Sequence, residues 1–413
     1  MVRLGAVDYE NKIWFTLKEA DTYLASPLKQ NIKSTAKLLG VFLKASSSKA
    51  RAKKIVFLPF TKTQSNLFSY VSKAFSHSSF FLFDNPKLVI TKHLLSKGIK
   101  PTPYFDLIKR FDVLKTFWSW LKEKKGHTKK DLFYYRVRKR VIFLELFRIA
   151  LTKYLKASEA RLIVVPEDRS DLALLAIEVA KSLGIKSVSF QHGFYSDSKI
   201  KTMYSNHPES ADLHLVYGRH FKDAYVSNGV PASKVKIIGA PWYGKLKKTE
   251  PQKPQVLYAS QRLPERKFAL SLLKTLDTDK IKVIDKLHPA ETLREVAVHA
   301  SALDGTGVEI VTGGEIEPLL ETSSALLTIS STVFLGAVAL GIPVGFFKAP
   351  EFDLKKYTIG SIITCEASLK AFVEDAVSGK LLFSHGRKKF EKDYLGPFRD
   401  FEKNMVKFFN SLL

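Results

Sequence analysis

Short apolar runs alternate with segments of helical periodicity along most of the chain. In the first half we predict strands over 54–60, 79–83, 162–165, 187–190, 213–217 and 235–238. A second series follows over 256–259, 282–284, 308–311, 326–329 and 343–347. Because strands that alternate with helices form parallel sheets with right-handed crossovers, we expect an α/β protein. The two series predict two Rossmann-like domains that face a cleft.

The boundary between the two series falls in a polar segment, 245–254, which carries several lysines and two prolines. A chain of 413 residues is long enough to bury two ordinary cores. We therefore predict domains over residues 1–245 and 246–413, with terminal helices after about residue 370.

Positive charge is concentrated near the start of the chain. The first 150 residues hold 30 Lys and Arg against 10 Asp and Glu, and so carry +20 of the net +26. Within them, residues 88–160 are predicted to form a basic helical insertion, and over 110–140 the basic clusters alternate with aromatic residues. Such a face suits anionic lipid headgroups, an anionic glycan or nucleic acid, although an ordinary solvated basic surface has the same composition.

Two polar motifs follow buried strands of the second series. His288 and Pro289 come after the strand over 282–284, and Ser330, Ser331 and Thr332 come after the strand over 326–329. Ligands of open α/β sheets collect at the carboxyl ends of the strands. Free N–H groups at a helix N-terminus also favour a phosphate. We therefore predict a site for a phosphate-containing ligand, and we expect a nucleotide.

Two cationic side chains flank this predicted site. Lys286 ends the strand that precedes His288, and Arg262 follows the strand over 256–259. We assign both to ligand binding, Arg262 as a phosphate clamp. For Arg262 an ordinary surface role is the alternative.

Two side chains of the first series are candidate proton acceptors. His192 follows the strand over 187–190 and precedes Gly193, which permits close approach of a ligand. A neutral imidazole accepts a proton from a hydroxyl near pH 7. Asp168, next to Glu167 after the strand over 162–165, is the other candidate. Alternatively, His192 caps a turn, and the two carboxylates cap the helix that begins near Asp171.

Other motifs indicate no further chemistry. The triplets 277–279 (DTD) and 305–307 (GTG) are predicted to be turns, and no second ligand stands at metal-binding spacing from His288. We therefore predict that no metal is required. One cysteine, Cys365, excludes an intramolecular disulfide, and no secretory signal or membrane-spanning run is recognisable. These features predict a cytoplasmic protein.

Several short motifs occur in a fixed order between about residues 160 and 350. They are SFQHG at 189–193, ADLHLVYG at 211–218, NGV at 228–230, IIGAP at 237–241, His288-Pro289 and Ser330-Ser331-Thr332. In this order they resemble bacterial and archaeal glycosyltransferases of GT-B architecture. The group that is most similar holds capsule sialyl- and polysialyltransferases, Kdo transferases and CDP-glycerol glycerophosphotransferases.

The resemblance implies a role for each half of the chain. Residues 1–245 would form the acceptor side and residues 246–413 the donor side. His288 and the hydroxyl triplet 330–332 would contact the donor phosphate, and Asp168 or His192 would act as the base. Gly336 stands where many GT-B enzymes carry a ribose-binding glutamate.

The activity that we expect is transfer of a sugar from a CMP- or UDP-linked donor to a cell-surface or lipid-linked glycan. No permanently bound cofactor is expected; the nucleotide-sugar is a substrate. The basic region 110–140 would dock on an anionic membrane at the inner face of the plasma membrane. The alternatives are a CDP-polyol phosphotransferase of surface-polymer synthesis, a UDP-sugar 2-epimerase and a non-enzymatic polyanion-binding protein. Nucleic acid is not an expected partner, because no known binding module is present.

Overall fold

The computed structural model describes two parallel sheets joined by a short polar segment. The residues described are 3–4, 7–8, 54–73, 75, 78–82, 89–99, 101–103, 112, 116, 132–195, 200–201, 211–241, 243–289, 291–350, 352, 354–380 and 384–413. Most of the basic region 110–140 therefore lies outside the described residues. An antiparallel ribbon near the start of the chain pairs β1 (Arg3–Leu4) with β2 (Val7–Asp8).

The first sheet has seven parallel strands in the order β5-β4-β3-β6-β7-β8-β9. They are β3 (Ile55–Phe57), β4 (Ser78–Leu82), β5 (Thr102–Pro103), β6 (Leu162–Val165), β7 (Lys186–Phe190), β8 (Leu213–Val216) and β9 (Val235–Ile237). The central strand β6 is buried at every position, as its unbroken LIVV sequence requires of a strand covered on both faces.

Helices cover both faces of this sheet. They are α1 (Lys62–Ser72), α2 (Val89–Ser96), α3 (Leu132–Lys156), α4 (Asp171–Ser182) and α5 (Arg219–Ser227). The 25-residue α3 lies within the predicted basic helical insertion, and its second half packs with α4 in one apolar cluster. Ser170 caps α4 by accepting from the Ala173 N–H, and Gly184, at φ 68°, follows its end.

The second sheet has six parallel strands in the order β12-β11-β10-β13-β14-β15. They are β10 (Gln255–Ala259), β11 (Lys282–Lys286), β12 (Glu309–Val311), β13 (Ala325–Thr328), β14 (Val344–Phe346) and β15 (Gly360–Ile362). Its helices are α6 (Arg266–Leu273), α7 (Leu293–Leu303), α8 (Glu317–Glu321), α9 (Phe334–Leu340), α10 (Leu354–Tyr357) and α11 (Glu366–Val377).

Two Rossmann-like sheets are thus present, as the hydrophobic pattern predicted. Each strand predicted from residue 54 onward is found, with ends that differ by at most three residues. The short strands β5 and β15, one at the end of each sheet, were not predicted. The proposed domain boundary at 245 falls between the last strand of the first sheet and the first strand of the second.

The end of the chain returns to the first sheet. Helix α12 (Ser384–Phe390), a π-helical turn (Glu391–Leu395) and α13 (Phe401–Asn410) complete the fold. The Phe409 ring packs on Phe57 and Phe75, at centroid distances of 6.2 and 5.1 Å. One apolar cluster therefore runs from the first sheet through these terminal helices into the second sheet. No helix in the described part of the chain has the length and apolar character needed to cross a bilayer.

The returning segment, residues 384–413, passes very close to the ends of β8 and β9. The N–H of Ala240 donates to the Leu395 carbonyl at 2.8 Å. A Cβ at Gly218 would collide with the carbonyl oxygen of Asp393 and lie 2.7 Å from its carbonyl carbon. A glycine is required here because both contacts are with backbone, which has no rotamer to change.

We therefore expect Gly218→Ala to destabilise the protein by about 1–3 kcal/mol, because the returning segment must move. Urea denaturation followed by circular dichroism measures this change. Gly313→Ala is the matched control, since nothing lies within 4 Å of the Cβ that it would add. Equal stability of the two variants would contradict the proposed close passage.

Candidate functional site

The two motifs predicted to bind a ligand in the second sheet lie at the same end of that sheet. The strand register aligns Lys286 of β11, Ala259 of β10 and Thr328 of β13. Strand β10 lies between the other two. Because neighbouring strands are about 4.8 Å apart, residues that follow β11 and β13 are about 10 Å apart. We call residues 260–262, 288–289 and 330–332, which follow these three strands, the polar edge.

The polar edge presents side chains rather than free backbone N–H groups. His288, Pro289, Ser330 and Thr332 are exposed, and Ser331 is half-buried. The N–H of Ser330 donates to Gln261 Oε1 at 2.6 Å, and the N–H of Ser331 donates to Thr328 Oγ1 at 3.0 Å. The expectation that these N–H groups are free to hold a phosphate is therefore wrong. A phosphate at this edge would meet the hydroxyls and the imidazole.

Gln261 and Arg262 have different surroundings on the loop after β10. Gln261 follows β10, and its Oε1 accepts the N–H of Ser330, which follows β13, so this side chain links the ends of the two strands. The sequence did not indicate this role. Arg262 Nε donates to Glu295 Oε1 of α7 at 2.7 Å, and its side chain is 46% exposed. The bond to Glu295 holds the guanidinium group through Nε, and its Nη groups carry the donors that the predicted phosphate clamp would use.

Lys286 is a buried cation on the face of the second sheet that belongs to the shared apolar cluster. It is 4% exposed, and Nζ donates to the Leu287 carbonyl at 3.3 Å. Its neighbour on the same face, Ile284, is part of the cluster that continues into the first sheet. Burial lowers the pKa of Lys286, and the negative charge of Glu315 opposes this effect. A buried ammonium group at a strand end is suited to an anionic ligand.

A buried polar network lies beneath the turn that carries His288. The imidazole of His299, on α7, lies between two carboxylates: Nδ1 is 2.6 Å from Asp285 Oδ2, and Nε2 is 3.2 Å from Glu291 Oε2. Ser260 Oγ donates to Glu291 Oε1 at 2.9 Å. The three ionisable side chains of this network are at most 1% exposed.

This network fixes the position of the polar edge. Glu291 joins the loop after β10 to α7, and its own N–H donates to the His288 carbonyl at 2.9 Å. The sequence analysis missed His299 and Glu291. The sequence feature that could have indicated the network was His299 on the buried face of α7. A histidine in such a position is more often an ordinary core residue than part of an ionic network.

The second candidate region follows β7 in the first sheet, and we call residues 191–195 the His192 loop. His192 is half-buried, with Nδ1 2.8 Å from the Pro166 carbonyl oxygen and 3.0 Å from Tyr195 Oη. Its Nε2 is 3.4 Å from Nε2 of Gln64, near the start of α1. Apart from its two chain neighbours, no described residue lies within 4 Å of the place where a Gly193 Cβ would point. The approach of a ligand to Gly193 stays a prediction.

Asp168 and Glu167 have structural partners. Asp168 is fully buried, with Oδ2 3.6 Å from both Arg169 Nη2 and His214 Nδ1. Burial lowers the pKa of His214, and Asp168 opposes that shift. Glu167 Oε1 accepts from the N–H of Ser170, the cap of α4. Glu167 therefore holds the residue that caps α4 and is not itself the cap, and the Asp168 carboxylate is buried in this conformation.

The His192 loop and the polar edge meet through aromatic contacts between the two sheets. The Phe194 ring lies 5.6 Å from that of Phe334, which opens α9 two residues after the hydroxyl triplet 330–332. Phe194 also stacks on Tyr394 of the returning segment at 5.6 Å. The candidate base and the predicted phosphate-binding residues therefore lie on opposite sides of one junction.

Three other sequence features have structural explanations. Gly336 faces Leu320, Leu246 and Tyr243, and a Cβ there would lie 2.9 Å from Leu320 Cδ2. A larger side chain at this position would require Leu320 to shift. Residues 277–279 and 305–307 are turns, as predicted.

Comparison with solved structures identifies the fold. The UDP-GlcNAc 2-epimerase of Neisseria meningitidis, bound to UDP-GlcNAc, superposes with a TM-score of 0.61 at 12% identity, covering 88% of this chain and 100% of that chain. Anabaena HepE with UDP-glucose gives 0.56 at 13% identity, covering 87% and 100%. The apo lipopolysaccharide outer core galactosyltransferase WaaB gives 0.51 at 14% identity, also covering 87% and 100%.

The chain has the GT-B fold. It is similar to these proteins over nearly its whole length, with two Rossmann-like domains and terminal helices that return to the first domain. No protein-family model and no curated protein matches the sequence. At 12–14% identity, the similarity concerns the fold alone.

The His299 network leads to a prediction about stability. We expect His299→Ala to destabilise the protein by about 3–5 kcal/mol, because it leaves the two buried carboxylates without the group between them. Urea denaturation near neutral pH measures the change. Arg294→Ala, at an exposed position of the same helix, should lie within about 0.5 kcal/mol of the wild type. A similarly small effect of His299→Ala would contradict the network.

The buried Lys286 leads to a second prediction, in which a substitution raises the stability of the protein. Because burial lowers the pKa of Lys286, the charged form costs stability at neutral pH, and this cost falls as the pH rises from the lowered pKa towards the ordinary pKa of lysine. Lys286→Met should therefore raise the free energy of unfolding near pH 7, and raise it less at alkaline pH. Lys282→Met, at an exposed position of the same strand, is the control. A loss of stability in Lys286→Met would show that the cation is satisfied in the folded protein.

Proposed function

We propose that this protein is a glycosyltransferase that moves a sugar from a nucleotide-activated donor to a hydroxyl group of a glycan acceptor. The observation that carries this proposal is the contact between Phe194 and Phe334. Phe194 lies two residues after His192, and Phe334 lies two residues after the hydroxyl triplet 330–332, so the contact supports a histidine and a hydroxyl-rich edge on the two sides of one junction. A transferase needs this combination, a base for the acceptor and a site for the leaving phosphates, on two sides of a cleft.

The donor that we propose is a UDP-sugar, because several structures of similar fold were solved with UDP, UDP-glucose or UDP-GlcNAc. In this proposal Lys286, His288 and the hydroxyls of 330–332 hold the diphosphate. The diphosphate would add negative charge beside the buried Lys286 ammonium, to that of Glu315. Pro289 stiffens the turn that presents His288.

The proposed reaction is a displacement at the anomeric carbon of the donor sugar. His192 Nε2 takes the proton of the acceptor hydroxyl while the acceptor oxygen bonds to that carbon. The bond between the carbon and the phosphate oxygen breaks, and the nucleoside diphosphate leaves with the electron pair. Lys286 and His288 stabilise the negative charge that develops on the leaving group. Asp168 takes no part, because it is buried between Arg169 and His214.

A UDP-sugar 2-epimerase is the second candidate, since such enzymes have a similar fold, with TM-scores of 0.58 and 0.61. Epimerisation requires carboxylates beside C2 and C3 of the sugar. Near the His192 loop, Glu167 accepts from Ser170, and Asp168 is buried. These contacts favour transfer to an acceptor over epimerisation.

A CDP-polyol phosphotransferase is the third candidate, and would use His192 and His288 on the two sides of a phosphate. It differs from the transferase in its products, because it releases CMP and transfers a phosphoryl-alcohol group. The membrane contact through residues 110–140, the cytoplasmic location and the independence from metal and cofactor remain predictions.

The donor site can be tested by thermal shift with CMP, CDP, UDP, GDP and ADP in the absence of metal. We expect UDP to raise the melting temperature most, since a ligand at 100 times its Kd stabilises the folded state by about 2.7 kcal/mol. His288→Ala should lose this shift and keep its own melting temperature. Lys282→Met is the control that should retain the shift.

Each of the other outcomes supports a different conclusion. A shift with CDP alone would favour polyol phosphotransfer. Conversion of UDP-GlcNAc to its 2-epimer in the absence of an acceptor would favour the epimerase. No shift with any nucleotide, or a full shift in His288→Ala, would contradict the proposed donor site.

A further inference from the structure

Gln64 has a fixed orientation at the start of α1. Its Oε1 accepts the N–H groups of Phe60 and Thr61, at 2.9 and 3.0 Å, while the Gln64 N–H donates to Thr61 Oγ1 at 3.3 Å. This is a capping box with Thr61 as N-cap. Because only the amide oxygen can accept two N–H groups, the NH₂ group of Gln64 must point the other way. The side chain is 5% exposed and has little freedom to rotate.

The NH₂ group of Gln64 is directed at His192. Gln64 Nε2 is 3.4 Å from His192 Nε2, and an amide nitrogen is only a donor. His192 Nε2 must therefore carry a lone pair. At the other side of the ring, Nδ1 is 2.8 Å from the Pro166 carbonyl oxygen, which is only an acceptor. Nδ1 must therefore carry the proton.

We propose that Gln64 is a positioning residue that holds His192 as the neutral tautomer protonated on Nδ1, with Nε2 as the proton-accepting atom. Two independent contacts, one at each ring nitrogen, require the same tautomer. A proton on Nε2 would face the N–H groups of Gln64, so this contact keeps the resting ring unprotonated, and an acceptor hydroxyl must take the place of the Gln64 amide at Nε2 before it transfers its proton. The role of Nε2 as a base for an acceptor hydroxyl rests on the proposed function, whereas the tautomer does not.

The groups around His192 are consistent with a neutral ring. Tyr195, on the same loop, has its Oη 3.0 Å from Nδ1, and burial raises the pKa of Tyr195 well above its usual range, so it stays uncharged. Glu167, after β6, is a carboxylate in this region, and it accepts from the Ser170 N–H. Gln64, on α1, is uncharged. The contacts of the ring with Gln64, Pro166 and Tyr195 are therefore contacts with neutral groups.

The variant Gln64→Glu tests this proposal directly. It keeps the oxygen that caps α1, and it replaces the NH₂ donor that faces His192 with an oxygen that accepts hydrogen bonds. The chain shows that glutamate serves in such a cap: Glu295 occupies the same position in the capping box of Thr292 on α7. Hydrogen bonds from Thr292 lower the pKa of Glu295 to about 2, so a glutamate at position 64 should also be ionised. A carboxylate oxygen in place of the NH₂ group would attract a proton to His192 Nε2.

The tautomer can be measured by long-range ¹H–¹⁵N NMR of the full chain labelled in histidine. The chain has 10 histidines, and His192→Asn identifies the signal of His192. We expect Nδ1 to be the protonated nitrogen in the wild type and both nitrogens to carry protons in Gln64→Glu at neutral pH. A wild-type His192 protonated on Nε2, or an unchanged ring in Gln64→Glu, would overturn the proposal.

Kinetics separate this proposal from the proposed function. In Gln64→Glu we expect the kcat of sugar transfer to fall at least 10-fold near pH 7 and to recover partly at higher pH, with an unchanged KM for the donor, which binds the other domain. Wild-type kcat and pH profile in this variant would overturn the role of Gln64. If the wild type shows the expected tautomer but His192→Asn retains full transfer, His192 is not the base, and the proposed function fails while the assigned tautomer stands.

Discussion

The aromatic junction around Phe194 is the interaction on which the rest of the structure depends. Phe194 contacts Phe221 of the first domain, Phe334 and Phe352 of the second, and Tyr394 of the returning segment. These rings belong to a single apolar cluster that both sheets share. Because Phe194 follows His192 by two residues and Phe334 follows Thr332 by two, the junction also sets the distance between the two halves of the candidate site.

Buried charge organises the second domain. Its polar edge is supported from below by Asp285, His299 and Glu291, while Lys286 on the same strand faces the opposite side of the sheet, where the shared apolar cluster lies. The two groups have opposite consequences. Asp285, His299 and Glu291 lie against one another and position the edge. On the opposite face, burial lowers the pKa of Lys286, and the negative charge of Glu315 opposes this effect.

The same local device, a capping box, serves two purposes in this chain. At Thr292 the N3 residue is Glu295, whose carboxylate also accepts from Arg262. At Thr61 the N3 residue is Gln64, and the remaining half of its amide is directed at His192. Glutamate and glutamine both serve in a capping box. They differ in the side-chain atom that takes no part in the cap, which is an accepting oxygen in glutamate and a donating NH₂ group in glutamine.

The sequence by itself determined the two sheets, most of their strands and the residues that end them. Apolar runs of four or five residues specify strands covered on both faces, and the order of the motifs led to the GT-B resemblance before any coordinates. His192, His288 and Ser330–Thr332 became candidates because parallel strands end at one edge of a sheet. Only the tertiary structure decided which of these groups have partners. It buried Asp168, occupied the N–H groups of Ser330 and Ser331, and placed Gln64 against a histidine 128 positions later in the chain. Such contacts join residues far apart in sequence, and local periodicity carries no information about them.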